Sequence, residues 1–180
     1  MTTQVIVLNG TSSSGKTGIA RCLQAILPEP WIVLGIDTLI WSLPVDSVPS
    51  PVSATGLTFA ADGTVVIDPV FRRLEVAFSA GVAAMVRAGA RVLVDDVFLS
   101  SAASQRRWQD ALDGLEVLWV GVLCEVAVAA ERELARGDRV PGLAASQTEV
   151  VHLGVSYDLR VDTTRTEALE CAREIAAHVG

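Results

Sequence analysis

The sequence predicts an α/β fold, with helices covering both faces of a five-stranded parallel sheet in three layers. Three observations carry this prediction. Short apolar, β-branched runs alternate with longer segments of helical period along the chain. The first run, Val5-Ile6-Val7-Leu8, is apolar at every position, as a strand buried on both faces requires. It leads at once into Gly10-Thr11-Ser12-Ser13-Ser14-Gly15-Lys16-Thr17, a full match to G-x-x-x-x-G-K-[ST] set between a strand and a helix.

The elements follow in order. A helix near Lys16 to Leu27 is stopped by Pro28, Trp31 to Ile36 reads as the second strand, and a helix near Thr38 to Leu43 ends before Pro44. The Pro- and Ser-rich stretch Val45 to Gly56 is a loop. Leu57-Thr58-Phe59 and Thr64-Val65-Val66-Ile67 flank Asp62-Gly63, a hairpin turn signal. Residues 45–68 are thus an insertion on the core alternation, and the chain reads as one domain over residues 1–180. Pro69 to Ala88 is the clearest helix, with Phe71, Leu74, Phe78, Val82 and Met85 on one apolar face and Asp68 suited to its N-cap. Arg91 to Val94 is the third core strand and ends in Asp95-Asp96. A helix over Ser104 to Leu112 and a strand over Val117 to Cys124 come next. A long helix from Val126 then runs into Arg136-Gly137-Asp138-Arg139, and Ser146 to His152 is a further helix. Leu159 to Val161 is the last strand, and Arg165 to Val179 the closing helix.

Composition narrows the function. Of 180 residues, 51% are hydrophobic and 19% charged, which allows a large core. The net charge of −7 repels nucleic acid and anionic lipid, so a small-molecule partner is expected. No apolar run is long enough for a signal h-region or a membrane span, which points to the cytoplasm. Cys22, Cys124 and Cys171 are odd in number and widely spaced, and read as small hydrophobes in a reducing compartment. No sequence feature specifies an oligomer. Thirteen of the 14 basic residues are arginine; Lys16 is the only lysine.

That lysine sits where the phosphate-binding loop, or P-loop, demands one. Gly10 and Gly15 permit backbone angles and close approaches that a Cβ would block. The N–H groups of Thr11, Ser12, Ser13, Ser14 and Gly18 then form an anion cradle at a helix N-terminus. Lys16 reaches the β- and γ-phosphates of ATP, and the Thr17 hydroxyl binds Mg²⁺. Asp95 closes the strand Val92-Leu93-Val94 at the position where a P-loop fold holds its metal. Adjacent Asp96 points in a different direction, and the sequence leaves open which of the two carboxylates faces the metal; Asp96 and Phe98 are also candidate acceptor contacts. Asp37, after the second strand, can accept the proton of an attacking hydroxyl, or instead cap the following helix. Trp41, one helical turn on, can line an acceptor pocket. Arg132, Arg136 and Arg139, at spacings of four and three, read as a lid over residues 130–145 that brings guanidinium groups onto the transferred phosphoryl, with Arg132 and Arg136 foremost. The alternative for that run is a solvated charged face with Glu131, Glu133 and Asp138. Thr163, at the end of the last strand, is a candidate contact to the nucleotide base, whereas His152 and His178 read as structural or exposed.

These motifs together resemble the chloramphenicol phosphotransferase family. The resemblance rests on Val5 to Gly10, the Ser-rich P-loop, Gly35-Ile36-Asp37 and Asp95-Asp96-Val97-Phe98-Leu99. It extends through Leu118-Trp119-Val120-Gly121-Val122, Glu131-Arg132-Glu133, Arg136-Gly137-Asp138-Arg139 and Val161-Asp162-Thr163-Thr164. It implies a nucleotide-kinase-like fold and ATP-dependent phosphorylation of the 3-hydroxyl of chloramphenicol. It also implies Asp37 as the base, with Lys16, Arg132 and Arg136 stabilising the phosphoryl group. Residues 41 to 60 depart most from the family. Two competing functions are a metabolic kinase of the shikimate or gluconate type and a nucleotide-binding regulator. The first needs cationic acceptor contacts, yet residues 38 to 60 contain no Arg or Lys, although Arg72, Arg73, Arg106 or Arg107 could fold in. The second predicts slow hydrolysis and large partner-binding surfaces.

Overall fold

The computed structural model describes residues 2–44, 55–59, 64–136 and 142–180. In chain order the elements are β1 (Val5–Asn9), α1 (Lys16–Ile26), β2 (Trp31–Gly35), α2 (Ile36–Trp41), β3 (Leu57–Phe59), β4 (Val65–Ile67) and α3 (Pro69–Arg87). They continue with β5 (Arg91–Asp96), α4 (Ala102–Ala111), β6 (Val117–Leu123), α5 (Val126–Arg136), α6 (Leu143–Thr148), β7 (Leu159–Asp162) and α7 (Ala168–Ala176).

Five strands form one parallel sheet in the order β2-β5-β1-β6-β7. The wholly apolar β1 lies at its centre, where both of its faces are covered. Its side chains alternate between two cores. Ile6 and Leu8 pack with Ile19 and Leu23 of α1 and Cys171 and Ile175 of α7. Val5 and Val7 pack with Val82 and Val86 of α3 and Trp108 and Leu112 of the α4 end. Parallel registers align Asn9 of β1 with Asp96 of β5 and Gly121 of β6, and Gly35 of β2 with Asp95. The carboxyl ends of the strands therefore meet along one edge, where open α/β sheets bind their ligands.

Strands β3 and β4 make the expected antiparallel hairpin, with Leu57 opposite Ile67; the Asp62-Gly63 turn and residues 45–54 of the preceding loop lie outside the described residues. Asp68 caps α3 by accepting from the Val70 and Phe71 N–H groups. The apolar face of α3 departs from its expected composition at one end: Met85 is exposed, while Ser79, Ala83 and Val86 are buried as the helix meets β5. Several boundaries also move, among them α7, which covers Ala168–Ala176. β5 runs on through Asp95 and Asp96; α2 starts directly at Ile36; and α6 lies three residues earlier than the periodicity predicts. No helix among the described residues is long and apolar enough to cross a membrane.

Candidate active site

The loop from Gly10 to Thr17 turns from β1 into α1 with little freedom. A Cβ on Gly10 would lie 2.4 Å from the Val122 carbonyl oxygen, so β6 admits only glycine there. Gly15 has φ +93°, and Ser13 holds φ +58° without a glycine's tolerance. A serine in that region costs on the order of 1 kcal/mol, which the surrounding contacts must sustain. Ser13 Oγ and Ser14 Oγ are buried with no hydrogen-bond partner among the described residues, as expected of a cradle built for a group with many acceptor oxygens. Gly10, Thr11 and Ser14 form the buried floor; Ser12, Ser13, Gly15, Lys16, Thr17 and Gly18 line the open cleft above it. Lys16 Nζ donates to the Gly10 and Thr11 carbonyls at 2.9 and 2.7 Å and lies 4.0 Å from Asp95 Oδ1. The Ser12 N–H donates to Gln147 Oε1 of α6 at 2.7 Å, a partner that no sequence signal marked.

Thr163 sits beneath this loop. Its hydroxyl donates to the Ser14 carbonyl at 2.6 Å, and its side chain is 3% exposed. This corrects the expectation of a base contact: Thr163, directly after β7, lies under the P-loop as a brace and does not line the cleft.

The two adjacent carboxylates of β5 part company. Thr17 Oγ1 donates to Asp95 Oδ2 at 2.7 Å, so Asp95 faces the loop. Strand alternation turns Asp96 to the opposite face, where it accepts from Trp108 Nε1 at 2.6 Å and from the Val97 N–H at 2.7 Å. Asp96 lines a small separate pocket with Ser79, Ser104 and Arg107, not the large cleft, which corrects its assignment to the acceptor. Burial pushes its carboxyl up to about 6 despite those hydrogen bonds, and Glu75 and Asp95 add to the rise. A raised folded-state value favours the folded state most below the unfolded value of 3.8, and that contribution is lost as pH rises through about 6. Urea unfolding should therefore show the wild type losing about 3 kcal/mol more than Asp96→Asn between acid and neutral pH, the shift from 3.8 to about 6 converted at about 1.4 kcal/mol per unit. Parallel pH dependences in the two proteins would refute this.

Phe98 is also corrected. It is fully buried in the core on the α3–α4 side, its N–H donating to Asn9 Oδ1 at 2.9 Å. The chain turns inward after Asp96, and Val97 and Leu99 face the cleft instead. Asp37 lines the cleft from the first turn of α2. The N-cap of that helix is Gly35, so Asp37 does not serve as the cap. Trp41 lines the same cleft and is 77% exposed, at its mouth.

The cleft encloses about 620 Å³ and is continuous from the P-loop to the hairpin. Its far walls are apolar: Ile36, Ile40, Leu57, Val65, Ile67, Phe71, Val97 and Leu99. Its basic side chains, Lys16, Arg21, Arg132 and Arg136, all come from α1 and α5. Arg132 is held by the Thr163 carbonyl at 2.8 Å. Arg139 and the rest of 137–141 lie outside the described residues. Glu133, which the alternative reading put on a solvated face, is 3% exposed. It accepts from the Gly142 and Ala144 N–H groups, both at 2.7 Å, and so ties α5 to the N-terminus of α6. Cys124 lies 3.5 Å from Arg132, and His152 is hydrogen-bonded to Tyr157, which accepts from Asn9.

Comparison with known proteins agrees with this geometry. A family model described as chloramphenicol phosphotransferase-like protein matches residues 3–180. A Mycobacterium tuberculosis protein bearing the provisional name O-phosphotransferase is 34% identical, over 96% of this chain and 80% of its own. Among solved structures, the Mycobacterium tuberculosis APS kinase in complex with AMPPNP and APS superposes with a TM-score of 0.68 at 17% identity, covering 98% of this chain and 96% of that one. Shikimate kinase from Acinetobacter baumannii in complex with shikimate gives 0.62 at 15% identity, over 98% and 93%. The two structures share the fold, a P-loop kinase sheet flanked by helices.

Proposed function

Because the chain belongs to the chloramphenicol phosphotransferase-like family and is a small-molecule phosphotransferase, we propose that it moves the γ-phosphate of ATP onto a hydroxyl of an uncharged acceptor, the 3-hydroxyl of chloramphenicol or of a related antibiotic. The observation that carries this reading is the continuous cleft. At the P-loop the cleft presents Lys16; its walls from α2, the hairpin and α3 are mostly apolar, present Asp37 and, among the described residues that line it, carry no basic side chain.

Each residue then has a task. The loop N–H groups and Lys16 orient the phosphates, and Arg132 and Arg136 neutralise charge on the phosphoryl group as it moves. Asp37 accepts the proton of the attacking hydroxyl. Apolar walls exclude water that would otherwise compete as acceptor. On this reading α5 and α6 belong to a lid that carries Arg132 and Arg136, and Glu133 ties its two described parts together. Thr17 and Asp95 place two hard oxygen donors side by side, a set that suits Mg²⁺. Delivered with the nucleotide, that ion would be held by these two residues and would supply charge neutralisation at the phosphates.

Coupled ADP release over a panel of hydroxylated antibiotics, shikimate and gluconate tests the proposal, with mass spectrometry for one added phosphate. Chloramphenicol-dependent release is expected. Release with shikimate or gluconate alone would overturn the uncharged acceptor.

A further inference from the structure

Glu75, on α3, lines the large cleft and also the small pocket that Asp96 lines. Its environment is built. Arg72 Nη1 donates to Glu75 Oε2 at 2.6 Å, and Arg107 Nη2 approaches the same oxygen at 3.9 Å. Each arginine is anchored in turn: Arg72 Nη2 donates to Ser100 Oγ at 2.5 Å, and Arg107 donates to Ser104 Oγ and the Ala103 carbonyl. Neither guanidinium lines the large cleft, and neither do Arg73 and Arg106. The arginines that could have drawn an anionic acceptor into the site instead hold a carboxylate at its wall.

Two consequences follow from the charges and the hydrogen-bonding capacity. Both guanidinium contacts fall on Oε2, so among the described residues Oε1 carries no hydrogen bond. A carboxylate oxygen is an acceptor only, so it selects a donor. Two arginines against one carboxylate offset its charge, which removes the attraction for a cationic acceptor. A carboxylate on the acceptor brings no donor for Oε1 and would face it acceptor to acceptor; among the described residues that line the cleft, the basic side chains come from α1 and α5.

We propose that Glu75, braced from behind by Arg72 and Arg107, is a specificity-determining residue that accepts a hydrogen bond from a second donor of the acceptor, a hydroxyl or amide N–H separate from the hydroxyl that is phosphorylated. This rests on the small-molecule kinase reading. The acceptor class it defines is an uncharged molecule with an apolar body and two donors, one at Asp37 and one at Glu75.

Three matched probes separate the terms: 2-phenylpropane-1,3-diol, 2-phenylpropan-1-ol and tropic acid, which carry a second hydroxyl, a methyl or a carboxylate at one position. Binding is read by tryptophan fluorescence with a non-hydrolysable ATP analogue present, and transfer by ADP release with ATP. The diol should bind about tenfold more tightly than the mono-ol, the scale of one buried hydrogen bond of about 1.4 kcal/mol. Tropic acid should bind more weakly than either. Glu75→Leu should abolish the diol preference while Glu75→Gln, which keeps an acceptor oxygen, retains part of it. Nucleotide affinity in each variant reports that the fold is intact. An undiminished diol preference in Glu75→Leu overturns the role of Glu75 even if transfer proceeds. Tight binding of tropic acid, or no binding by either alcohol, also overturns it. The converse result, a Glu75-dependent diol preference in binding with no transfer to the diol or to chloramphenicol, supports Glu75 and rejects the phosphotransfer reading.

Discussion

Lys16→Ala should lower kcat for acceptor phosphorylation by about 10²–10³, or about 3–4 kcal/mol in the barrier. The ammonium is 6% exposed and fixed by two loop carbonyls beside Asp95, so its charge is already in place when the phosphoryl group moves. A preorganised charge in a cleft with little water acts at full strength, without waiting for solvent to reorient. Removal also leaves the Gly10 and Thr11 carbonyls without their donor. Lys16→Arg should not restore activity, because a planar five-donor fork cannot take the place of a thin stem ending in one compact charge. ADP release under saturating acceptor, with nucleotide affinity by calorimetry, checks both variants. A kcat within a few fold of wild type in Lys16→Ala would refute the role.

Asp37→Asn should leave nucleotide affinity unchanged and lower transfer by about 10²–10⁴, the range for a positioned general base. The substitution keeps the shape of the side chain and removes its capacity to accept a proton. It also leaves the N-cap of α2 in place, because that cap is Gly35. A single-turnover measurement with chloramphenicol in excess separates the transfer step from product release. Normal single-turnover rates in Asp37→Asn would move the base to another group in the cleft.

The parts of this site that were legible in the sequence share one property: their role is local. The P-loop is read from eight consecutive residues, since the turn, the helix start and the lysine reach are all set within that span. The hairpin from Leu57 to Ile67 and the N-cap at Asp68 are of the same kind. Asp95 was legible as a strand-end carboxylate, yet its separation from Asp96 required the register of β5 against β1 and the position of Trp108. Phe98 looked like an acceptor contact because it follows the carboxylates, but the turn after β5 drives it into the core.

Glu75 and Gln147 left no mark that could be read, and Glu133 stood out only within the Glu131-Arg132-Glu133 motif, without its role. Glu75 and Glu133 lie among other charged residues on amphipathic helices, where a solvated face is the ordinary expectation. What distinguishes them is a partner far away or across a turn: Arg107 of α4 for Glu75, the N-terminus of α6 for Glu133, and the Ser12 N–H for Gln147.

By itself the sequence determined the α/β alternation, the central buried strand, the P-loop with its single lysine and the family to which the chain belongs. Hydrophobic period, glycine placement and helix starts are short-range properties that neighbouring residues fix. Only the tertiary structure decided which carboxylate faces the phosphates and which is buried behind the sheet. It likewise decided that Thr163 braces the loop, and that the arginines of α3 and α4 turn from the cleft to hold Glu75. The reason is geometric: the direction of a side chain follows from strand register and helix packing, which join residues tens of positions apart.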